Sequence, residues 1–216
     1  MAFRQNEGIP MNDFDQKVVD ARPASNVSLA ADSRTQDPRA IPSARRRNAS
    51  PKLPSTLRAD CSRCAGLCCV VHPFYSVQGF AFDKPAYSAC RYLTVENRCA
   101  IHSRLAFRGF PGCIAFDCYG AGQRATQEFC NGMNWRTLDE ASVQALFSAY
   151  TSLLVLHRLM AMLALAETTV APPLDIQMRL KREQLNELCC SEELKGGGLN
   201  VSALQTDVLK LLRKDC

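Results

Sequence analysis

Several features of export, membrane and catalytic proteins are missing from this sequence. It opens MAFRQNEGIPMNDFDQKVVD, polar and acidic where a secretory signal needs a basic end followed by an apolar run of roughly 7–15 residues. The chain is therefore expected to be cytoplasmic. In the C-terminal part the longest uncharged run is 16 residues, stopped by His157 and Arg158, whereas a membrane span needs about 20 apolar residues. No span is expected. The net charge is only +5, and the basic residues are scattered apart from Arg45, Arg46 and Arg47. A nucleic-acid surface concentrates Lys and Arg on one face, so no nucleic-acid partner is expected. Gly120-Ala121-Gly122-Gln123 lacks the Lys-Ser/Thr ending of a phosphate loop and reads as a tight turn. No Ser-His-Asp, Cys-His or paired-carboxylate arrangement can be read from spacing, so no catalytic residue is assigned, and the balance leans away from an enzyme without closing the question. No repeat of fixed period is present.

What the sequence has is cysteine, 12 in 216 residues, nine of them between positions 57 and 135. In a reducing compartment such a cluster points to metal or redox chemistry before disulfides. The spacing is Cys61-x2-Cys64-x3-Cys68-Cys69, then Cys90, Cys99, Cys113, Cys118 and Cys130. A Cys-x2-Cys turn brings two sulfurs into one coordination sphere. Zinc takes four ligands at about 2.3 Å for sulfur, and iron–sulfur clusters also take four thiolates. Soft sulfur excludes magnesium and calcium. Neighbouring side chains such as those of Cys68 and Cys69 diverge, so one of the two is expected to serve a second metal or to face the core.

Composition divides the chain in three. Residues 1–56 are rich in Ser, Ala, Arg, Asp and Pro and cannot bury enough apolar surface to offset the entropy of ordering; a disordered tail is expected. Residues 57–136 hold the cysteines, seven of the ten phenylalanines and the single Trp, with frequent Gly and Pro, and predict loops with short helical turns at 61–69 and 98–107. Phe107, Phe110, Phe116, Tyr119 and Trp135 are expected to form a small core beneath the cluster. Residues 137–216 predict three helices in an up-down-up bundle: one from a capping box at Thr137-Leu138-Asp139-Glu140 through 141–167, one over 174–194, and one after Asn200. The fold class is thus mainly α, a loop-rich cysteine-cluster metal module followed by a three-helix segment.

The run CSRCAGLCC, with ACRYL, RCAIH and GCIAFDC, resembles the YkgJ-type zinc- or iron-chelating cysteine-cluster family. The stretches LRADCSRCAGLCC, GFPGC, FDCYGAGQ and NWR are similar to the non-repeat N-terminal region of actinobacterial pentapeptide-repeat proteins. The likeness covers 57–136 and extends more loosely over 137–216. This chain lacks the pentapeptide repeats themselves, so nothing repeat-linked carries over. By position the matches place Cys61, Cys64, Cys68, Cys69, Cys90, Cys99, Cys113 and Cys118 in the cluster, and leave Cys130, Cys189, Cys190 and Cys216 outside it. Eight thiolates fill two four-ligand sites, or one site with spare thiols. Two divalent ions with eight thiolates carry four excess negative charges, and 58–136 offers nine Lys and Arg against five Asp and Glu. His72, His102 and His157 are read as structural.

The expectation is a metal-binding protein, zinc first and iron or an iron–sulfur cluster as the alternative, with a structural, carrier or sensor role and a protein partner docking on the helical region. A redox or maturation accessory enzyme built on a thiolate-bound iron centre is a second reading. A disulfide-stapled exported effector is a third.

Overall fold

Of the seven helices among the described residues, three fall within the cysteine-bearing segment and the longest lies just beyond it. The structure, a computed structural model, describes residues 53–213. The expected disordered tail lies outside the described residues except at its end, where Ser55–Leu57 forms a 3-10 turn that buries Leu57. Mainly α is the observed class. In chain order the helices are α1 (Cys68–Val71), α2 (Pro111–Ala115), α3 (Ala121–Phe129), α4 (Glu140–Ala166), α5 (Leu174–Leu188), α6 (Glu192–Lys195) and α7 (Val201–Leu212). Among the described residues, β pairing is limited to two isolated antiparallel bridges, Phe74 with Lys84 and Leu93 with Cys99.

Helix α4 organises the rest. Its 27 residues contain no Gly or Pro, and its first turn is capped by Asp139, whose carboxylate accepts from Ser142 N–H at 3.0 Å. The cap is therefore Asp139 and not Thr137, because Trp135–Thr137 already forms a 3-10 turn. Length and composition alone would let α4 cross a membrane, contrary to the sequence expectation. Its buried residues run nearly all round its middle, from Leu146 to Leu163, and it packs against α3, α5, α6 and α7. A helix apolar on every side is a buried core helix in such surroundings.

Helix α5 ends six residues earlier than expected. Ser191 accepts from Leu194 N–H at 3.2 Å and starts the separate turn α6, since a serine hydroxyl at an N-cap competes with continuation of the preceding helix. Helix α7 begins as its sequence implies, with Asn200 accepting from Ala203 N–H at 3.1 Å.

The cysteine-bearing segment is loop-rich, as expected, with one addition. Residues 121–129 form a true helix, α3, entered through Gly120 at φ 86°. A side chain at Gly120 would also sit 2.8 Å from Thr56 O. The aromatic core differs from the expected set: Phe74, Phe80, Phe82, Tyr92 and Phe110 stack or meet edge to face. Phe107 is 88% exposed, in a turn.

Candidate functional site

The loop carrying Cys61 and Cys64 hangs from one face of α3. Gln123 receives Asp60 N–H and donates to Arg58 O at 3.0 Å, Thr126 Oγ1 accepts from Ala65 N–H at 3.0 Å, and Gln127 donates to Arg63 O at 2.9 Å. Positions three and four apart share a helix face, so this single face fixes the loop from residue 58 to 65. Asp60 caps the short 3-10 turn Cys61–Arg63 by accepting from Ser62 N–H at 2.9 Å. Arg98 reaches across to Ser62 O at 2.6 Å.

Held this way, Cys61 and Cys64 face Cys68 from α1 and Cys118 from the turn before α3. The four thiols, with Asp60, Gly122, Gln123 and Tyr150, line one cavity of about 20 Å³. Gly122 forms its floor: a Cβ there would lie 2.8 Å from Cys64 Sγ and 3.9 Å from Cys118 Sγ. Tyr150 closes the wall from α4, fully buried, its hydroxyl 3.1 Å from His72 Nε2. Burial pushes the Tyr150 hydroxyl well above its ordinary pKa. Burial, joined by Arg158, lowers His72 to about 4, so His72 is neutral.

The thiols are protonated in this setting. Burial pushes Cys64 up to about 12 and raises Cys118. Cys68 is driven well up by its contact with Cys69, 4.0 Å away, and then by burial. Cys61 is exposed as a residue, yet its sulfur end is desolvated enough to be raised as well, with Cys68 and Cys118 adding to the effect. Neutral thiols exert no pull on one another. A cation inverts this balance, because a coordinating thiol is deprotonated outright.

The other four predicted cysteines lie outside this cavity, three of them linked through the backbone. Cys90 N–H donates to Cys69 O at 2.8 Å, Leu93 N–H to Cys90 O at 2.9 Å, and Leu93 pairs with Cys99. Cys113, on α2, is pushed to about 12 by burial and then by Cys68, Cys90 and Cys99. Cys90 is raised by burial and further by Cys99. Beside this set lies Lys84, 5% exposed. Its ammonium donates to Ser88 O at 2.7 Å, Pro85 O at 2.9 Å and Val70 O at 3.2 Å, and sits 4.7 Å over the Phe74 ring. Burial lowers Lys84 to about 8, against the opposing influence of Cys90, Cys69 and Cys68. The sequence reading passed over Lys84; its only local signal was a charge inside an aromatic stretch.

Among the described residues, no three His, Cys, Asp or Glu side chains are drawn close enough to form a ready-made metal group, and no disulfide joins the described cysteines. His102 is exposed at the start of a 3-10 turn. His157 is buried, its Nδ1 2.7 Å from Tyr119 O and its Nε2 without a partner. Cys130 donates to Thr126 O at 3.1 Å, Cys189 to Leu185 O at 3.3 Å, and Cys190 accepts from Arg124 at 3.0 Å. These three stand apart from the cavity.

No family model matches the chain, and no solved structure matches it, so the resemblance to the YkgJ-type and pentapeptide-repeat-associated sequences rests on the cysteine motifs. A relative with a similar sequence is the uncharacterized protein YybG of Bacillus subtilis (strain 168), 37% identical over 133 residues, which is 61% of this chain and 47% of that protein. The chain spans about half the length of that relative.

Proposed function

We propose that this is a metal-binding cysteine-cluster protein in which Cys61, Cys64, Cys68 and Cys118 hold one zinc or iron ion that clamps the cysteine-bearing loops onto α3 and α4. The observation that carries the reading is the cavity: three thiols from residues 61–68 and a fourth from residue 118 line a space of about 20 Å³. That is close to the minimum that accepts one water-sized occupant. It suits a single ion, and an iron–sulfur cluster is larger than it. The donor set is all soft sulfur, which fits zinc or iron. With four thiolates the shell closes and leaves no open position for a substrate, as in structural zinc sites. This favours a structural, carrier or sensor role over catalysis.

The ion would supply folding energy here, and the protein side chains do the positioning: α3 fixes the loop, Gly122 keeps the floor open, and Tyr150 excludes water. Cytoplasmic residence accords with thiols that stay reduced. A protein partner on the helical region is supported by Ile176 and Leu180, 41% and 59% exposed at adjacent turns of α5. Elemental analysis and a visible spectrum of chain purified without chelators test the reading. Colourless protein containing zinc is the expected result, and thiolate-to-iron absorption would move the assignment to iron. A folded, reduced, metal-free chain would contradict it.

A further inference from the structure

We propose that the turn Ser76–Gln78, the loop before α2 and α2 itself form one docking surface for an anionic bilayer, in which Val77, Phe107 and Ile114 enter the headgroup layer and Arg104 and Arg108 hold lipid phosphates. The proposal stands apart from the metal-binding reading and rests on different residues.

The patch joins two segments distant in sequence. Gly112 N–H donates to Gly79 O at 2.9 Å, a Cβ on Gly79 would meet Pro111 Cγ at 3.0 Å, and one on Gly109 would meet Ala81 Cβ at 3.4 Å. The turn Ser76–Gln78 is thereby pressed against the loop that leads into α2. Val77, Phe107 and Ile114 each stand two residues from one of these junction glycines, and they are 93%, 88% and 55% exposed; Tyr75, at the start of the same turn, is exposed as well. Phe80, whose ring lies against Gly112, stacks on Phe74, and Phe74 and Phe110 both meet Phe82. The apolar surface therefore stands on a packed aromatic base.

Charge selects the occupant. Arg104 and Arg108 are one turn apart, joined by Arg108 N–H donating to Arg104 O at 2.9 Å, with Phe107 between them in the chain. Both are exposed, and among the described residues neither forms a salt bridge. The acidic side chains on these segments are engaged by backbone: Asp83 accepts from Ser76 N–H at 2.6 Å and Asp117 from Tyr119 N–H at 2.7 Å. Two guanidinium groups are left for an external anion beside exposed apolar side chains. An arginine lays its stem along apolar surface while its head reaches a polar layer, and its fork matches a phosphate. Phosphate bordering hydrocarbon is the chemistry of an anionic bilayer surface, where interfacial segments that pair Lys or Arg with Phe or Leu bury their apolar side roughly 5–10 Å deep. A protein partner fits the patch less well, because a stable interface takes about 20–30 residues a side and the large apolar side chains here are few.

Co-sedimentation of the full chain with vesicles tests the proposal. The wild type should bind vesicles of phosphatidylcholine mixed with phosphatidylglycerol at least about 10-fold more tightly than vesicles of phosphatidylcholine alone, and added salt should weaken that binding. Arg104→Gln/Arg108→Gln should weaken binding to the mixed vesicles about 30-fold, at about 5-fold for each arginine near an anionic surface. Phe107→Ser should weaken it at least about 10-fold, the lower end of what burying such a side chain contributes. These residues are exposed, so both variants should keep the wild-type circular dichroism. No binding to the mixed vesicles, equal binding to both vesicle types, or wild-type binding by Phe107→Ser would overturn the proposal. So would self-association of the wild type that Phe107→Ser abolishes, which would assign the patch to a second copy of the chain.

Discussion

Replacing Gly122 by alanine isolates the cavity from the fold. Gly122 sits in the first turn of α3 with ordinary helical backbone, so alanine fits the main chain and improves helix propensity by about 1 kcal/mol. Its methyl, however, would stand 2.8 Å from Cys64 Sγ, where unstrained contacts lie at about 3.5–4.0 Å. The sulfur must retreat by about 1 Å. A free thiol does so by rotating, at a cost comparable to the gain in propensity. A metal ligand has no such freedom, because its bond length is held to within about 0.2 Å. Without metal, Gly122→Ala and wild type should lose the same helical signal, because the cysteine-bearing segment is then largely unfolded in both. With zinc, it should lose affinity by at least about 100-fold, the upper end of what an outer-shell change costs, since here a ligand itself is displaced. Competition against a zinc-binding dye, in parallel with unfolding in chelator, measures both. A variant that binds zinc as tightly as the wild type would refute the claim that Cys64 closes this cavity.

Thr126→Val should cost about 1–3 kcal/mol in urea unfolding, because it leaves the buried Ala65 N–H without an acceptor; an unchanged midpoint would contradict the role of α3 as scaffold. His157, lowered to about 4 by burial, is neutral when folded, so the unfolded chain binds its proton first. Its contribution is present above an unfolded pKa of about 6.5 and is lost as pH falls toward 4, amounting to about 2 kcal/mol by pH 5. Wild type should thus lose more stability than His157→Gln between pH 7.5 and pH 5, and parallel losses would argue against a buried neutral imidazole. Cys130→Ser, Cys189→Ser and Cys190→Ser should leave the bound-metal count unchanged, since each thiol is engaged away from the cavity; loss of an ion in any of them would redraw the ligand set.

The parts of this structure that the sequence exposes are those with a local physical signal. Helix α4 shows as a long stretch free of Gly and Pro, and α7 as an asparagine cap followed by an apolar stripe. The crowding of the cysteines is visible by spacing and the choice of eight of them came from the family resemblance, whereas the expected divergence of Cys68 and Cys69 is not what folding gives, since their sulfurs lie 4.0 Å apart. Helix α3 was hidden because its two glycines, Gly120 and Gly122, look like a turn. The first does enter the helix in a left-handed conformation, but the second is there for closeness to sulfur, a tertiary demand that no local pattern carries. The break between α5 and α6 depended on a serine cap outcompeting helix continuation. Lys84 and Tyr150 were invisible for the same reason as Gly122: each acts on cysteines brought near by folding alone.

Metal removal should unfold much of the cysteine-bearing segment, since structural zinc contributes on the order of 10–16 kcal/mol against a whole-domain stability of about 5–15 kcal/mol. The most direct test of the central claim is X-ray absorption at the metal edge on the purified full chain. A first shell of about four sulfurs at about 2.3 Å is the predicted result for zinc. A shell of oxygen and nitrogen, or a folded and reduced chain with no metal to absorb, would contradict it.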